Sequence, residues 1–166
     1  RGPFAEVERW IARAVERDPR SPQLLFAAAG LYESWGRPDR GRELLGRMLA
    51  IPDLEPDMVD LGHETMADAF SAEGRLDEAK GELLAAIAVG ADAATWHGRP
   101  FYAMGLGPVR ACRLRLELAG LEIRRGDPDA ARRLVDDARS GCPPSPVFRE
   151  RIEDLEGKLG APAGAR

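Results

Sequence analysis

Histidine, cysteine, aromatic residues and lysine are scarce in this sequence, and each shortage narrows its chemistry. Of 166 residues, two are His, two are Cys and 6% are aromatic. Lys80 and Lys158 are the only lysines, and we attribute the arginine bias to genomic base composition. His63 and His97 stand far apart, outside any H-E-x-x-H motif or Cys pairing. The sequence therefore predicts no metal site and no cofactor.

The cysteines Cys112 and Cys142 follow no metal-ligand spacing, and two cysteines in a chain of this length do not form a disulfide framework. We expect them to be buried free thiols. The visible start of the chain also lacks the charged segment and apolar core of an export signal. These two observations predict a cytoplasmic location.

Long apolar runs and a surplus of positive charge are also missing. No run approaches the roughly 18 apolar residues of a membrane span. A net charge of −4 disfavours general binding to nucleic acid or to anionic membranes, which requires clustered Lys and Arg. No Walker or G-x-S-x-G motif occurs, and "GLG" at residues 105–107 lacks the third glycine of a dinucleotide loop. We therefore predict that the chain is not an enzyme.

A glycine set between two apolar-periodic runs gives the first positive signal. In "SAEGRLDEAKGELLAAI", residues 71–87, apolar residues recur at helical spacing on both sides of Gly74. Glycine adopts the left-handed conformation that ends a helix, and Asp77 can cap the helix that follows. The stretch predicts a helical hairpin.

The same arrangement surrounds Gly2, Gly36 and Gly126, and this repetition indicates a repeat architecture. Positions five, nine and twelve after each glycine share one helix face and carry mostly small or aliphatic residues. They are Val7, Ile11 and Ala14; Gly41, Leu45 and Met48; Ala79, Leu83 and Ala86; Ala131, Val135 and Ala138. Seven before three of the glycines lie Ala29, Ala67 and Ala119, and four before lie Tyr32, Phe70 and the exception Glu122.

Over residues 2–143 this pattern resembles the tetratricopeptide repeat family. The best-matching stretches are "AAAGLYESWGRPDRGRELLGRMLAIPD" and "MADAFSAEGRLDEAKGELLAAIAVG". The resemblance implies an all-α fold of antiparallel hairpins stacked as a right-handed solenoid. The expected parts are a half repeat at 2–19, hairpins at 21–52, 57–90 and 108–143, an insertion loop at 91–107, a capping helix at 145–159 and a disordered tail at 161–166.

Within the insertion loop, Trp96, Phe101 and Tyr102 form an aromatic-rich stretch. Two interpretations remain open. The aromatics either contact a partner protein or fold back over an exposed helix edge.

The resemblance also implies a concave groove lined by the first helix of each hairpin. The expected groove residues are Gln23, Phe26, Glu33, Leu61, Glu64, Asp68, Arg113, Leu116 and Arg124. Some family members clamp an acidic peptide with Lys and Asn, but Phe26, Glu64 and Asp68 stand here instead. We therefore predict a peptide partner that presents Arg or Lys to Glu64 and Asp68, with an apolar anchor at Phe26.

The leading functional prediction is a non-catalytic scaffold that binds a protein or peptide in this groove. One alternative is a repeat arm of a larger enzyme or transcriptional regulator whose active segment lies outside the chain. Another is a homo-oligomer, because the unpaired helix at 4–17 exposes an apolar face.

Overall fold

A computed structural model describes residues 3–91 and 106–160 of the chain. Within those ranges the regular structure is entirely helical, which confirms the all-α prediction. The helices are α1 (Pro3–Arg17), α2 (Pro22–Ser34), α3 (Pro38–Leu49), α4 (Pro56–Ala72), α5 (Leu76–Ala91), α6 (Leu106–Arg125), α7 (Pro128–Gly141) and α8 (Pro146–Gly160). Ala91, Leu106 and Gly107, expected in the insertion loop, are helical. None of the described helices is long and apolar enough to cross a membrane.

Proline begins most of these helices. Its fixed φ suits the first helical turn, where its missing N–H would have no intrahelical acceptor. Side-chain caps complete two of the starts. Ser21 Oγ accepts a hydrogen bond from the backbone N–H of Leu24 at 3.3 Å, and Asp127 Oδ1 accepts one from Ala130 at 2.9 Å.

Three turns between paired helices share one backbone geometry. Gly36, Gly74 and Gly126 have φ values of 69°, 76° and 80°, which confirms their predicted left-handed conformation. At each turn the residue after the glycine donates its N–H to the carbonyl five residues earlier, at 2.9 Å. These bonds run from Arg37 to Tyr32, from Arg75 to Phe70 and from Asp127 to Glu122. The sequence repeat therefore corresponds to a repeated helix end.

The paired helices α2 and α3, α4 and α5, and α6 and α7 pack along one another as hairpins, and contacts of α3 with α4 and of α5 with α6 join them. Helix α8 packs on both α6 and α7, whereas α1 packs mainly on α2. The repeated small and aliphatic positions of the three hairpins are buried: Gly41, Leu45 and Met48; Ala79, Leu83 and Ala86; Ala131, Val135 and Ala138; Ala29, Ala67 and Ala119. The corresponding position Val7 of α1 is exposed, and Gly2 lies outside the described residues.

The prediction of free cysteines is wrong. Cys112 and Cys142 form a disulfide, with their Cα atoms 5.3 Å apart. Cys112 lies near the start of α6 and Cys142 directly follows α7, so the hairpin places them side by side despite a separation of 30 residues. Disulfides persist mainly in oxidising compartments. The pairing therefore removes one of the two grounds for the cytoplasmic prediction.

Candidate functional site

The residues expected to line a groove fall into different environments. Gln23, Asp68 and Arg124 are exposed, and Phe26, Glu33, Leu61, Glu64 and Arg113 are half-buried. Leu116 is only 2% exposed and lies in a core cluster with Val135 and Ile152. It cannot contact a partner, because it points into the interior formed by α6, α7 and α8. Trp96, Phe101 and Tyr102 lie outside the described residues.

A network of ion pairs occupies the junction of α4 and α6. Arg113 makes a two-pronged contact with Glu64, with Nη2 2.7 Å from Oε2 and Nη1 2.5 Å from Oε1. Arg110 Nη2 lies 2.7 Å from the same Oε2, and its Nε contacts the buried carboxylate of Asp60. Burial disfavours ionisation of Glu64, but Arg113 and then Arg110 together outweigh it, so the pKa of Glu64 is lowered.

Glu64 is therefore already neutralised from within the chain, and it cannot serve as the free acceptor that the sequence suggested. Among the described residues, its neighbour Asp68 has no such pair. The Asp68 residue is exposed overall, but neighbouring helices partly desolvate its carboxylate. This desolvation and the adjacent Glu64 charge raise the pKa of Asp68, because Arg113 compensates only in part. Of the two predicted acidic residues, Asp68 is the one that retains capacity for a partner's cation.

Two further carboxylates face the same region and are under-neutralised. Burial is the main cause that raises the pKa of Glu117, with Glu64 and Asp68 adding to it against Arg113. Burial and then Asp68 raise the pKa of Glu33. Oε2 of Glu117 and Oε1 of Glu33 are buried, and the described part of the chain offers neither a hydrogen-bond donor. Glu117 does accept a bond from Arg113 through Oε1, at 2.8 Å. Within the described helices, carboxylates therefore outnumber guanidinium groups where α4 faces α6.

A cavity of about 300 Å³ opens beside these carboxylates, between α4, α6 and α8. Its apolar lining includes Ala67, Leu83, Leu121, Ile123 and Leu155, and Gly120 contributes bare backbone. Asp68 and Glu117 lie among its acidic lining residues, and Arg124, Arg151 and Lys158 among its basic ones. The cavity is therefore apolar in part and carries both signs of charge at its rim.

The basic residues of this cavity are held by polar contacts within the chain. Arg124 Nη2 donates to the backbone carbonyl of Ser71 at 2.6 Å. Arg151 and Lys158 both contact Asp154, at 3.0 and 2.8 Å, on the exposed side of α8. Sequence reasoning treated α8 only as a cap. The helical spacing of Arg151, Leu155 and Lys158, which puts them on one face, was the available signal for this third wall.

Phe26, the expected apolar anchor, is packed against the core cluster shared by α2 and α3. A second cavity of about 560 Å³ lies between α1, α2 and α3. Trp10 on α1 is 63% exposed and is not among the residues that line it. No group of three or more His, Cys, Asp or Glu residues able to hold a metal ion occurs in residues 3–91 and 106–160. His63 Nδ1 lies 2.6 Å from Glu82 Oε2, in a contact between α4 and α5.

Comparisons of the chain with protein-family models, with curated proteins and with solved structures find no match. We therefore infer function from the contacts of the described residues.

Proposed function

We propose that the chain is a non-catalytic protein-binding module of the tetratricopeptide type, whose hairpins stack as a right-handed solenoid. The repeated turn at three glycines and the equivalent buried positions of three hairpins support this arrangement. In such a stack α2, α4, α6 and α8 occupy equivalent places. The cavity bounded by α4, α6 and α8 is then part of one continuous groove.

The observation that carries the proposal is this cavity of about 300 Å³ with under-neutralised carboxylates at its edge. Asp68 and Glu117 pay a desolvation cost that their own arginine neighbours do not fully offset. A guanidinium or ammonium group from a partner would offset the remainder by binding at the exposed carboxylate of Asp68, next to Glu117 in the lining of the cavity. The partner is accordingly a protein segment that presents Arg or Lys beside a small apolar side chain.

The opposite side of the cavity is basic and suits a carboxylate on the same segment. Arg124, Arg151 and Lys158 line it from α6 and α8. Arg151 and Lys158 also contact Asp154, so a partner's carboxylate would share or replace that contact. Neighbouring packed helices lie roughly 8–10 Å apart. A cation and an acid separated by about that distance would therefore match both rims.

A selection experiment tests this proposal directly. A random peptide display library is selected on the wild-type chain and the recovered peptides are measured against Asp68→Arg. The matched control is Asp137→Arg, which reverses an exposed acidic residue on α7, outside the residues that line the cavity. We expect recovered peptides enriched in Arg and Lys, with affinity falling roughly tenfold or more for Asp68→Arg and unchanged for the control. Equal affinity for both variants would remove the groove from the proposal.

A further inference from the structure

The two sulfur atoms of the disulfide belong to residues in different environments. Cys112 is fully buried within α6. Cys142 is half-buried and lines a cavity of about 280 Å³ between the end of α7 and the start of α8. Arg139 and Arg149 line the same cavity. Glu153 lines it as well, and Arg139 is paired with Glu156. A reagent can therefore approach the disulfide from the Cys142 side.

Helix α8 depends on the part of the core that this disulfide ties together. Cys112 belongs to a buried cluster with Ile152 and Leu155 of α8, and Phe148 and Cys142 pack against that cluster. Only the short segment 143–145 separates Cys142 from α8. The disulfide thus fixes the point from which α8 starts, and α8 supplies Arg151, Leu155 and Lys158 to the cavity beside α6.

We propose that the Cys112–Cys142 disulfide is a redox-sensitive staple, opened by a dithiol that attacks Cys142, and that its opening loosens α8. The effect on partner binding rests on the proposed function, whereas the staple itself does not. Loosening of α8 removes one wall of the groove. Binding is accordingly strong in the oxidised chain and weak in the reduced one.

The exchange conserves atoms and electrons. A thiolate of the dithiol attacks Sγ of Cys142, the Cys112–Cys142 bond breaks, and Cys112 leaves as a thiolate that takes up a proton. The second thiol of the reductant, as a thiolate, then attacks its own sulfur in the mixed disulfide and releases Cys142 as a thiolate, which is protonated. Two electrons and two protons pass to the protein, and the reductant ends as a cyclic disulfide.

The first test asks whether the two sulfurs differ in access. Cys112→Ser leaves Cys142 as the only thiol, and Cys142→Ser leaves Cys112, so the pair is matched. With an aromatic disulfide reagent under native conditions, we expect the Cys142 thiol to react faster, by a factor on the order of 100. Equal rates would overturn the assignment of Cys142 as the attacked sulfur. Circular dichroism of both variants verifies that each is folded.

The second test uses the wild-type chain treated with dithiothreitol, with hydrogen exchange followed by mass spectrometry. We expect faster exchange in α8 and the end of α7, with α2 to α5 unchanged as an internal reference. The double variant Cys112→Ser, Cys142→Ser should show this pattern without dithiothreitol and no response to it. The proposed role of the disulfide would be contradicted if exchange in α8 stayed unchanged after full reduction. It would also be contradicted if the disulfide could be reduced only in denaturant.

Affinity for the displayed peptides separates the two proposals. Looser α8 together with a roughly tenfold loss of peptide affinity supports both of them. Looser α8 with unchanged affinity upholds the staple and contradicts the groove. Hydrogen exchange needs no partner. It therefore tests whether the disulfide holds α8 in place even if the selection recovers no peptide.

Discussion

The position four residues before each turn glycine accepts either an aromatic residue or a carboxylate. Four residues before the turn glycines stand Tyr32, Phe70 and Glu122, and each is buried. The Arg37 guanidinium lies 5.6 Å from the ring centre of Tyr32, and Arg75 lies 4.5 Å from that of Phe70. An aromatic face and a carboxylate both attract a cation, so each type of residue suits this position.

Glu122, which looked like an exception in the sequence, is 1% exposed and has two cationic partners. Lys80 Nζ lies 2.7 Å from its Oε1, and Arg125 Nη1 lies 2.5 Å from its Oε2. A single mismatch in an aromatic pattern could not reveal this arrangement. One partner comes from α5, 42 positions away in the chain, and only the packing of α5 against α6 brings it close.

Substitution of Glu122 and substitution of its two cationic partners should lower the free energy of unfolding by different amounts. In Glu122→Ala, Arg125 keeps its pair with Asp77 and half-buried Lys80 can turn to solvent, so we expect a loss of about 2 kcal/mol in the free energy of unfolding. Lys80→Met with Arg125→Met leaves the carboxylate buried and unpaired, at a cost of about 3–5 kcal/mol. Urea denaturation measures both. If Glu122→Ala proved the costlier change, the ion pairs would not be what makes burial of Glu122 tolerable.

Sequence reasoning placed Glu64 and Asp68 on one helix face, but it could not tell which of them was free. Their spacing of four residues fixes their shared face. The reach of Arg110 and Arg113 from α6 depends on the register of two helices that are distant in sequence. The inward direction of Leu116 depends on how α6 packs against α7 and α8, and so it also could not be predicted from the sequence.

At the scale of helices, local signals located most of the hairpins. The helices Pro22–Ser34 and Pro38–Leu49 fall within the predicted 21–52, because proline marks their starts and Gly36 marks the turn between them. The contribution of α8 to the lining of the cavity was not predicted, since an amphipathic helix has the same sequence pattern whether it only covers apolar surface or also lines a cavity.

Gly120 tests whether the space between α6 and α8 is used. A Cβ atom there would lie 3.5 Å from Arg151 Nη2 and 3.7 Å from Leu155 Cδ2, which are ordinary contacts. Gly120→Ala should therefore stabilise the chain by roughly 0.5–1 kcal/mol through helix propensity. Gly120→Leu should fill the cavity and abolish binding of the displayed peptides.

The matched control for Gly120 is Gly81, an exposed position on α5 where a Cβ would meet no atom within 4 Å. Gly81→Leu should leave peptide affinity unchanged, and Gly81→Ala should stabilise the chain by a similar amount to Gly120→Ala. Urea denaturation and fluorescence anisotropy provide the two readouts. Undiminished affinity in Gly120→Leu would place the peptide elsewhere, for example in the cavity between α1, α2 and α3.

For the whole molecule, net charge gives little guide to its binding surface. The chain carries 28 acidic and 24 basic residues, so its overall field is weak. The local balance differs. In the part of the chain that the structure describes, the carboxylates of Asp60, Glu64, Asp68 and Glu117 interact at the junction of α4 and α6 with the guanidinium groups of Arg110 and Arg113. Charge recognition is therefore expected to act at short range within the groove and to involve few residues.

That local excess predicts how binding depends on pH. The pKa values of Asp68 and Glu117 are raised above their ordinary 3.8 and 4.5 in the free chain. A bound cation favours the ionised carboxylates and therefore lowers both pKa values. Binding then releases protons, and affinity increases as pH rises through the raised pKa values before it levels off.

Calorimetric titration of a selected Arg-containing peptide, at pH values from below to above the raised pKa values of Asp68 and Glu117, tests whether a partner's cation binds at these carboxylates. Titrations in two buffers of different ionisation enthalpy give the number of protons released. For the wild-type chain we expect affinity that rises with pH and measurable proton release. Both should be reduced in Asp68→Arg and retained in Asp137→Arg. Affinity independent of pH, with no protons exchanged, would contradict cation binding at these carboxylates.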